Sequence, residues 1–424
     1  MKAGILTLGC KVNMYESEFV ANLLKSNGFE ICDFHDVCDV YIINTCTVTN
    51  TSDIKSRKMI RQAIRNNPDA CVVAMGCFIE ANKDYQIPGL DIVIGNKDKS
   101  KIVELIHQYF EKKNMIKDLY SNRFTEFEDM YIKEFPGRTR AFVKIQDGCD
   151  NFCSYCIIPF VRGKCRSKDK DKVISEINDL VSNGYQEVVL TGIHTGNYGY
   201  DKDYDFADLL SEVVKIEGLK RLRISSIEIT ELNDRVLSII KDNDVIVDHL
   251  HIPMQAGSDE ILKLMNRKYD LDYYFKKIEQ IRKIRPMISI TTDVIVGFPG
   301  EDEKLFEKTI ETCKKIGFAK IHVFPFSLRN GTKAEELPNH LSNEEKKKRS
   351  RKLLEVSKEL ENNYFSKFIG KSESVLIEQY KDGYSYGHTG NFLNVKIEGK
   401  LEHNKFYDVL ITDISYPYCI GKIK

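Results

Sequence analysis

The chain has 424 residues, 63 basic against 63 acidic side chains, and 12 cysteines. The length is two to three times that of a typical domain. With 42% hydrophobic and 30% charged residues, the composition excludes a disordered chain, a collagen and a small disulfide scaffold. No apolar run reaches the roughly 18 residues that span a bilayer. Met1-Lys2-Ala3-Gly4-Ile5-Leu6 runs into strand-like sequence without a signal-peptide core. The expectation is therefore a cytoplasmic protein with no membrane partner, whose reduced cysteines are core residues, metal ligands or catalytic thiols. Zero net charge gives no global field for nucleic acid but permits a local basic face.

The first hundred residues alternate strand and helix. Ala3–Leu8, Val40–Asn44, Cys71–Met75 and Asp91–Ile94 are short apolar runs, separated by helical patterns over Ser17–Asn27, Ser52–Asn66 and Lys99–Lys112. This rhythm predicts a parallel sheet with helices on its faces. The polar stretch from Asn114 to Arg140 reads as a linker with some local structure. From Ala141 the strand candidates are Phe142–Ile145, Glu187–Leu190, Arg221–Ser225, Val245–His251, Ser289–Val296 and Lys320–Phe326. The helices between them are Lys172–Asn183, Phe206–Ile216, Leu232–Lys241, Asp272–Ile284 and Glu303–Ile316. Six β/α units suggest a barrel or incomplete barrel. Asn343–Lys367 reads as one charged helix. The remaining strands, Ser374–Gln379, Tyr384–His388, Phe392–Ile397, Asp408–Ile414 and Pro417–Gly421, read as a small all-β unit. The fold class is thus multidomain α/β, divided at 1–113, a linker 114–140, 141–342, a linker helix 343–366, and 367–424.

The strongest chemical signal is Gly148-Cys149-Asp150-Asn151-Phe152-Cys153-Ser154-Tyr155-Cys156. It follows the first barrel strand, on the face where barrel enzymes keep their chemistry. Three thiolates spaced Cys-x3-Cys-x2-Cys can hold three irons of a cubane and leave the fourth open. Structural zinc commonly wants four closed ligands, and the next cysteine is Cys165; unrelated thiols or a zinc site are the alternatives. An open iron chelated by a methionine-derived cofactor is the arrangement of radical S-adenosylmethionine enzymes, in which cluster and cofactor carry the redox chemistry and the protein orients them.

Three more cysteines occur at one structural offset. Leu8-Gly9-Cys10, Asn44-Thr45-Cys46 and Met75-Gly76-Cys77 each lie just past the carboxyl end of a predicted parallel strand. Such ends line one crevice in an open α/β sheet. Cys10, Cys46 and Cys77 should therefore converge, with Gly9 and Gly76 permitting close backbone approach. Taken singly, each is an ordinary small buried residue.

On these residues the chain resembles the radical S-adenosylmethionine methylthiotransferases along essentially its whole length. Thr7-Leu8-Gly9-Cys10-Lys11-Val12-Asn13-Met14-Tyr15-Glu16, Asn44-Thr45-Cys46-Thr47-Val48-Thr49 and Gly76-Cys77-Phe78-Ile79-Glu80 are similar to the family's N-terminal signatures. The resemblance implies a Rossmann-like first domain, a partial (β/α)6 barrel and a C-terminal TRAM barrel that binds RNA. It also implies two 4Fe–4S clusters, an auxiliary one on Cys10, Cys46 and Cys77 and a radical one on the catalytic Cys149, Cys153 and Cys156. Family branches act on isopentenyladenosine in tRNA, on a ribosomal-protein aspartate, or on threonylcarbamoyladenosine in tRNA. Gly9-Cys10-Lys11-Val12-Asn13, Thr191-Gly192-Ile193-His194-Thr195-Gly196 and Ser225-Ser226-Ile227-Glu228 resemble the third branch. Its reaction replaces the C2 hydrogen of the modified adenine, next to the anticodon, with a methylthio group, and needs an electron donor such as flavodoxin or ferredoxin and a sulfur source. Ile229, where the family pattern has proline, and Cys165, where it has a polar or basic residue, are departures. From another class, a non-catalytic RNA-binding zinc protein is the competing reading.

For S-adenosylmethionine the candidates are Tyr155 beside the adenine, Glu228 at the ribose or amino group, Gln255, and Arg267 as a bidentate donor to the carboxylate. His194, His249 and His251 would serve as metal ligands only if a cluster lacked a cysteine. Basic clusters lie at Lys55–Arg65, Arg162–Lys172 and Lys346–Lys352. The second follows the cysteine loop and is expected to contact phosphates. Tyr380, Tyr384, Tyr386 and Phe392 of the last unit are expected to stack on bases or to form its core.

Overall fold

The computed structural model describes residues 1–84, 86–118 and 126–424; residues 119–125 of the expected linker lie outside the described residues. The first domain comprises β1 (Lys2–Thr7), α1 (Lys11–Ser26), β2 (Glu30–Cys32), β3 (Val40–Thr45), α2 (Asn50–Asn66), β4 (Cys71–Gly76), α3 (Cys77–Ala81), β5 (Ile92–Ile94), α4 (Ile102–Lys112) and β6 (Ile116–Asp118). Its sheet runs β2-β1-β3-β4-β5-β6 and is parallel throughout. Strand alternation splits the core in two. Val40, Ile42, Val73 and Met75 face one helix layer; Tyr41, Ile43, Val72 and Ala74 face the other. A sheet buried on both faces needs such continuous apolar runs. Local patterning does not announce β2 and β6, three-residue edge strands too short to show a period. Strand β6 also gives the start of the expected linker a place in this sheet.

The second domain comprises β7 (Arg140–Lys144), β8 (Gln146–Asp147), α5 (Ile158–Arg162), β9 (Arg166–Ser167), α6 (Lys170–Ser182), β10 (Glu187–Thr191), α7 (Phe206–Val213), β11 (Arg221–Ile224), α8 (Asp234–Asp242), β12 (His249–His251), α9 (Asp259–Leu264), α10 (Leu271–Ile284), β13 (Ser289–Val296), α11 (Glu303–Ile316) and β14 (Lys320–Pro325). Two parallel three-stranded sheets, β11-β10-β7 and β12-β13-β14, are joined by the Leu222–Ile246 bridge. The expected strand from Val245 is broken, because the chain turns between Val247 and His249 as it crosses between the sheets.

Alternation along these strands is unusual for a barrel. Leu222, Ile224, Leu250, Ile290, Val294 and Ile321 pack outward in the core. The intervening Arg221, Arg223, His249, His251, Thr291, Asp293 and His322 are polar. The lumen is therefore a polar chamber rather than a packed interior.

The first domain lies across the open side of this barrel. Helix α1 packs along β7, where Tyr15 donates to Glu176 Oε1 at 2.8 Å and to the Met130 carbonyl at 2.8 Å. Beyond β14, Arg329 grips Thr47, Asn50 and Asp53. Helix α12 (Asn343–Ser366) then leads to β15 (Ser372–Lys381), β16 (Tyr384–Thr389), β17 (Asn394–Glu398), β18 (Phe406–Ser415) and β19 (Tyr418–Ile423). These close into a five-stranded barrel in the order β15-β16-β17-β19-β18. Among the described residues no helix is long and apolar enough to cross a membrane.

Candidate functional site

Register brings the first three cysteines level. Thr7 pairs with Asn44 and Thr45 with Gly76, so Cys10, Cys46 and Cys77 emerge at one end of the sheet. Gly9 has φ +104°, and a Cβ there would stand 3.0 Å from Cys46 Sγ, which shows how tightly the first two turns abut. Asn13 ties them together: its amide donates to the carbonyls of Leu8 at 2.7 Å and Thr45 at 3.0 Å.

The second triad sits in the loop after β8. Gly148 has φ +76°, and a Cβ there would lie 1.9 Å from the Lys164 carbonyl oxygen; only glycine fits. Cys149 N–H donates to Gly163 O at 3.0 Å, and Ser154 straps the loop to Met265 and Leu264. Burial and the neighbouring Cys153 push the Cys156 thiol up to about 12. Ionising such a set requires a bound cation that replaces its protons.

Arg162 links the first triad to the base of the cysteine loop. It is fully buried; Nε donates to Cys77 Sγ at 3.3 Å, Nη2 to Asn13 Oδ1 at 2.7 Å, and Nη1 to Glu16 at 2.9 Å and Asp147 at 3.1 Å. Asp147 immediately precedes Gly148 and Cys149. Lys99 and Lys144 share Glu16, and Lys144 and Arg166 share Asp147. Burial alone would raise the Glu16 carboxyl, but Arg162, Lys144 and Lys99 outweigh it and hold it well below the usual range. Asn96 supplies a second donor to Cys77 Sγ at 3.5 Å.

This corrects the expectation of phosphate contacts for three of the six basic residues of Arg162–Lys172, while Lys164 stays exposed. Arg162, Arg166 and Lys168 are buried in ion pairs, and Lys172 pairs with Asp129. The sequence signal was present, since Ile157 to Val161 before Arg162 are five apolar residues, poor company for a solvated arginine. In the third cluster Lys346 and Arg349 are likewise buried.

Of the cofactor candidates, Arg267, Glu228 and Cys153 come together. Arg267 Nη1 lies 3.3 Å from Cys153 Sγ, Nη2 pairs with Glu228, and Nε donates to Tyr269 Oη at 3.2 Å. The cleft they line with Asn151 and Thr230 holds only about 10 Å³, room for roughly one water. Tyr155 packs edge-on to Phe298 at 6.4 Å. Gln255, at φ +68°, bonds through its backbone to Asp293 and Ile295, and its side chain makes no hydrogen bond among the described residues.

His194 reaches both Cys149 Sγ at 3.8 Å and Cys165 Sγ at 3.9 Å and pairs with Glu231. Cys165 is thus buried beside the triad. Ile229 opens the short turn Ile229–Glu231, at the position where proline is also at home, and is fully buried. Cys32 and Cys38 lie together with their sulfurs 2.6 Å apart.

Lys11, one residue past Cys10, projects into the lumen. Burial there, reinforced by Arg140 and Arg223, lowers its ammonium to about 8. It is open to solvent because the chamber around it is hollow. Phe392 is drawn to the same place: Arg223 lies 3.9 Å and His249 4.7 Å from its ring, so it caps the lumen and does not face outward to stack bases.

The donor set suits an iron–sulfur group. Guanidinium and amide N–H groups point at Cys77 and Cys153, and buried cations outnumber the two carboxylates beside the first triad, an arrangement costly without an anionic occupant. Among the described residues no three His, Cys, Asp or Glu side chains converge at the spacing of a single ion, as tetrahedral zinc at about 2.3 Å from each sulfur demands.

An open β/α barrel with a three-cysteine loop defines the radical S-adenosylmethionine class. Residues 143–313 match the family model described as the radical SAM superfamily, and residues 2–95 match uncharacterized protein family UPF0004. The chain is 43% identical over 428 residues to the threonylcarbamoyladenosine tRNA methylthiotransferase MtaB of Bacillus subtilis, covering 98% of this chain and 95% of that one. It is 38% identical to the protein of that name from Aquifex aeolicus, over 97% and 100%. It is 35% identical to the tRNA-2-methylthio-N(6)-dimethylallyladenosine synthase of Carboxydothermus hydrogenoformans, over 88% and 87%. Among solved structures, the radical S-adenosylmethionine methyltransferase TsrM of Kitasatospora setae superposes with a TM-score of 0.56 at 14% identity, over 76% and 72%; this likeness is one of fold. The chain belongs to the radical S-adenosylmethionine methylthiotransferase family. Membership implies S-adenosylmethionine and a 4Fe–4S cluster.

Proposed function

We propose that this enzyme converts N6-threonylcarbamoyladenosine at position 37 of tRNA, just 3′ of the anticodon, to its 2-methylthio derivative. Its full-length relatives of that name support the substrate. The observation that supports the reading most is the buried Arg162, which bonds Cys77 of the first domain and Asp147, two residues before Cys149, at the base of the cysteine loop. Cys149, Cys153 and Cys156 would hold the radical cluster, and Cys10, Cys46 and Cys77 an auxiliary one. When bound, cluster and S-adenosylmethionine supply a one-electron chemistry that removes hydrogen from an unactivated C–H, which acid/base catalysis cannot do.

The chain's own residues do the positioning. Arg267 and Glu228, now paired with each other, would hold the cofactor carboxylate and amino group once that pairing opens to admit them. Tyr155 would border the adenine, and Gln255 would offer a polar group at the barrel mouth. Arg162 and Asn96 direct N–H groups at Cys77 and offset negative charge there. At the substrate, the C2–H bond is broken, its hydrogen passing to the adenosyl fragment of one S-adenosylmethionine, and a C2–S bond is formed to a methylthio group whose methyl a second S-adenosylmethionine would supply. A one-electron donor of the flavodoxin or ferredoxin kind and a sulfur source complete the reaction, in a cytoplasm that keeps these thiols reduced. Tyr384 and Tyr386, alternate residues of one strand, with Lys396 3.8 Å from the Tyr384 ring, form a face suited to unpaired nucleotides of the anticodon loop.

The test is an anaerobic assay of the reconstituted enzyme on tRNA bearing threonylcarbamoyladenosine, with metal analysis. About eight irons per chain and a 2-methylthio product are expected. Cys149→Ala abolishes reductive cofactor cleavage, whereas Cys77→Ala retains cleavage and loses the product. Zinc in place of iron, or wild-type cleavage by Cys149→Ala, contradicts the reading.

A further inference from the structure

The lumen contains a cavity of about 340 Å³, within the range of small-ligand sites. Lys11, His249, His251, Thr291 and His322 line it, and Phe392 closes it from the C-terminal barrel. Every other cation around Lys11 is paired: Lys320 with Glu361 at 3.0 Å, Arg140 with Glu378 at 3.1 Å, and Arg223 with Glu187 at 2.5 Å. The nearby carboxylate Asp293 is held by His251 Nε2 at 3.2 Å. Lys11 has neither a hydrogen bond nor an ion pair among the described residues.

A second group in the same cavity is also unsatisfied. His249 is 9% exposed. Its Nε2 is engaged with Thr291 Oγ1 at 3.1 Å, while Nδ1 is buried without a partner. Leaving the buried His249 nitrogen unpaired costs stability that a complementary ligand recovers, and the unpaired Lys11 ammonium, open to the water of the chamber, is free to take an anion. A cation beside a neutral polar nitrogen, in a chamber walled by the Phe392 ring, suits a short arm ending in a carboxylate and carrying further hydrogen-bonding groups.

Resting on the threonylcarbamoyladenosine reading, we propose that Lys11 is the specificity residue that binds the carboxylate of the threonylcarbamoyl arm in the barrel lumen, with His249 as a second polar contact. The C2 position is then presented to the two triads while the arm occupies the cavity. An RNA phosphate offers Lys11 similar anionic chemistry, and the test separates the two sources.

Synthetic anticodon stem-loop RNAs are prepared with the threonylcarbamoyl group either as the free acid or as its carboxamide. Binding by fluorescence anisotropy and kcat/KM for methylthiolation are measured for both on the full-length reconstituted enzyme. Wild type is expected to favour the acid by about 10- to 100-fold, the scale of a charge-assisted hydrogen bond. Lys11→Met brings the ratio near one, chiefly by losing the acid, and Lys11→Arg retains most of it. The acid-to-amide ratio cancels any general folding defect. Equal wild-type binding of the two RNAs, an unchanged ratio in Lys11→Met, or an equal loss on both RNAs, as a phosphate contact would give, overturns the proposal. Wild type that cleaves S-adenosylmethionine yet gives no 2-methylthio product on the acid RNA defeats the substrate reading instead.

Discussion

At the scale of single residues, Arg162 joins more of the candidate machinery than any other side chain. It serves Cys77 and Asn13 of the first domain and Asp147 of the second. Replacing it with methionine keeps bulk but leaves Glu16 and Asp147 buried with fewer partners. Breaking a buried ion network typically costs ~3–5 kcal/mol, so Arg162→Met should lower the urea midpoint of the apoprotein and halve the iron retained after reconstitution. A full iron complement and an unmoved midpoint would remove it from the site. The cysteines themselves were legible in the sequence, three by short spacing and three by their common offset from strand ends. Arg162 was not read as internal: the apolar run before it hints at burial, but the carboxylates that pair with it, Glu16 above all, come from a distant segment. Arg267 and Glu228 were legible as candidates, but their mutual pairing across 39 residues depends on the barrel closing.

At the scale of elements, strand positions followed from hydrophobic runs, while several boundaries did not. Helix α1 starts at Lys11, six residues before the amphipathic pattern suggests, because its first turn is spent on the site: Asn13 and Glu16 are buried in polar contacts, which erases the apolar period there. The polar lumen strands behave similarly. Ser289, Thr291 and Asp293 alternate with Ile290, Thr292 and Val294; the strand was legible in the β/α alternation, but the use of its polar side as a chamber wall needed the topology. At the base of the barrel, Glu187 pairs with Arg221, Arg223 and His388. Arg221 and Arg223 in turn donate to carbonyls of β15, β16 and the following turn, docking the C-terminal barrel. Burial would raise the Glu187 carboxyl, but Arg223 and His388 outweigh it and hold it well below its ordinary value of about 4.3. The unfolded chain therefore takes up this proton first as pH falls, and the contribution is complete above about pH 5 and declines as pH drops through 4 toward the native value. Glu187→Gln should flatten that part of the stability profile and speed tryptic cleavage at Lys367 and Lys371. An unchanged acid limb and cleavage rate would show that the docking does not depend on this ion cluster.

At the scale of the molecule, each domain supplies what the others lack. The barrel is open on one side and polar within; the first domain covers that side with its cysteine edge, held by α1 against β7 and by Arg329 beyond β14. The small barrel closes the base with Phe392. The neutral total charge of the chain conceals this arrangement, since many of its basic residues are internal and paired, and RNA recognition is left to local faces rather than a broad field. The most direct test is mass spectrometry of tRNA nucleosides from cells lacking the gene. Loss of 2-methylthio-threonylcarbamoyladenosine with accumulation of threonylcarbamoyladenosine, restored by the wild-type gene and not by the Cys149→Ala variant, is the expected result. An unchanged level of the 2-methylthio nucleoside in the deletion strain would contradict it.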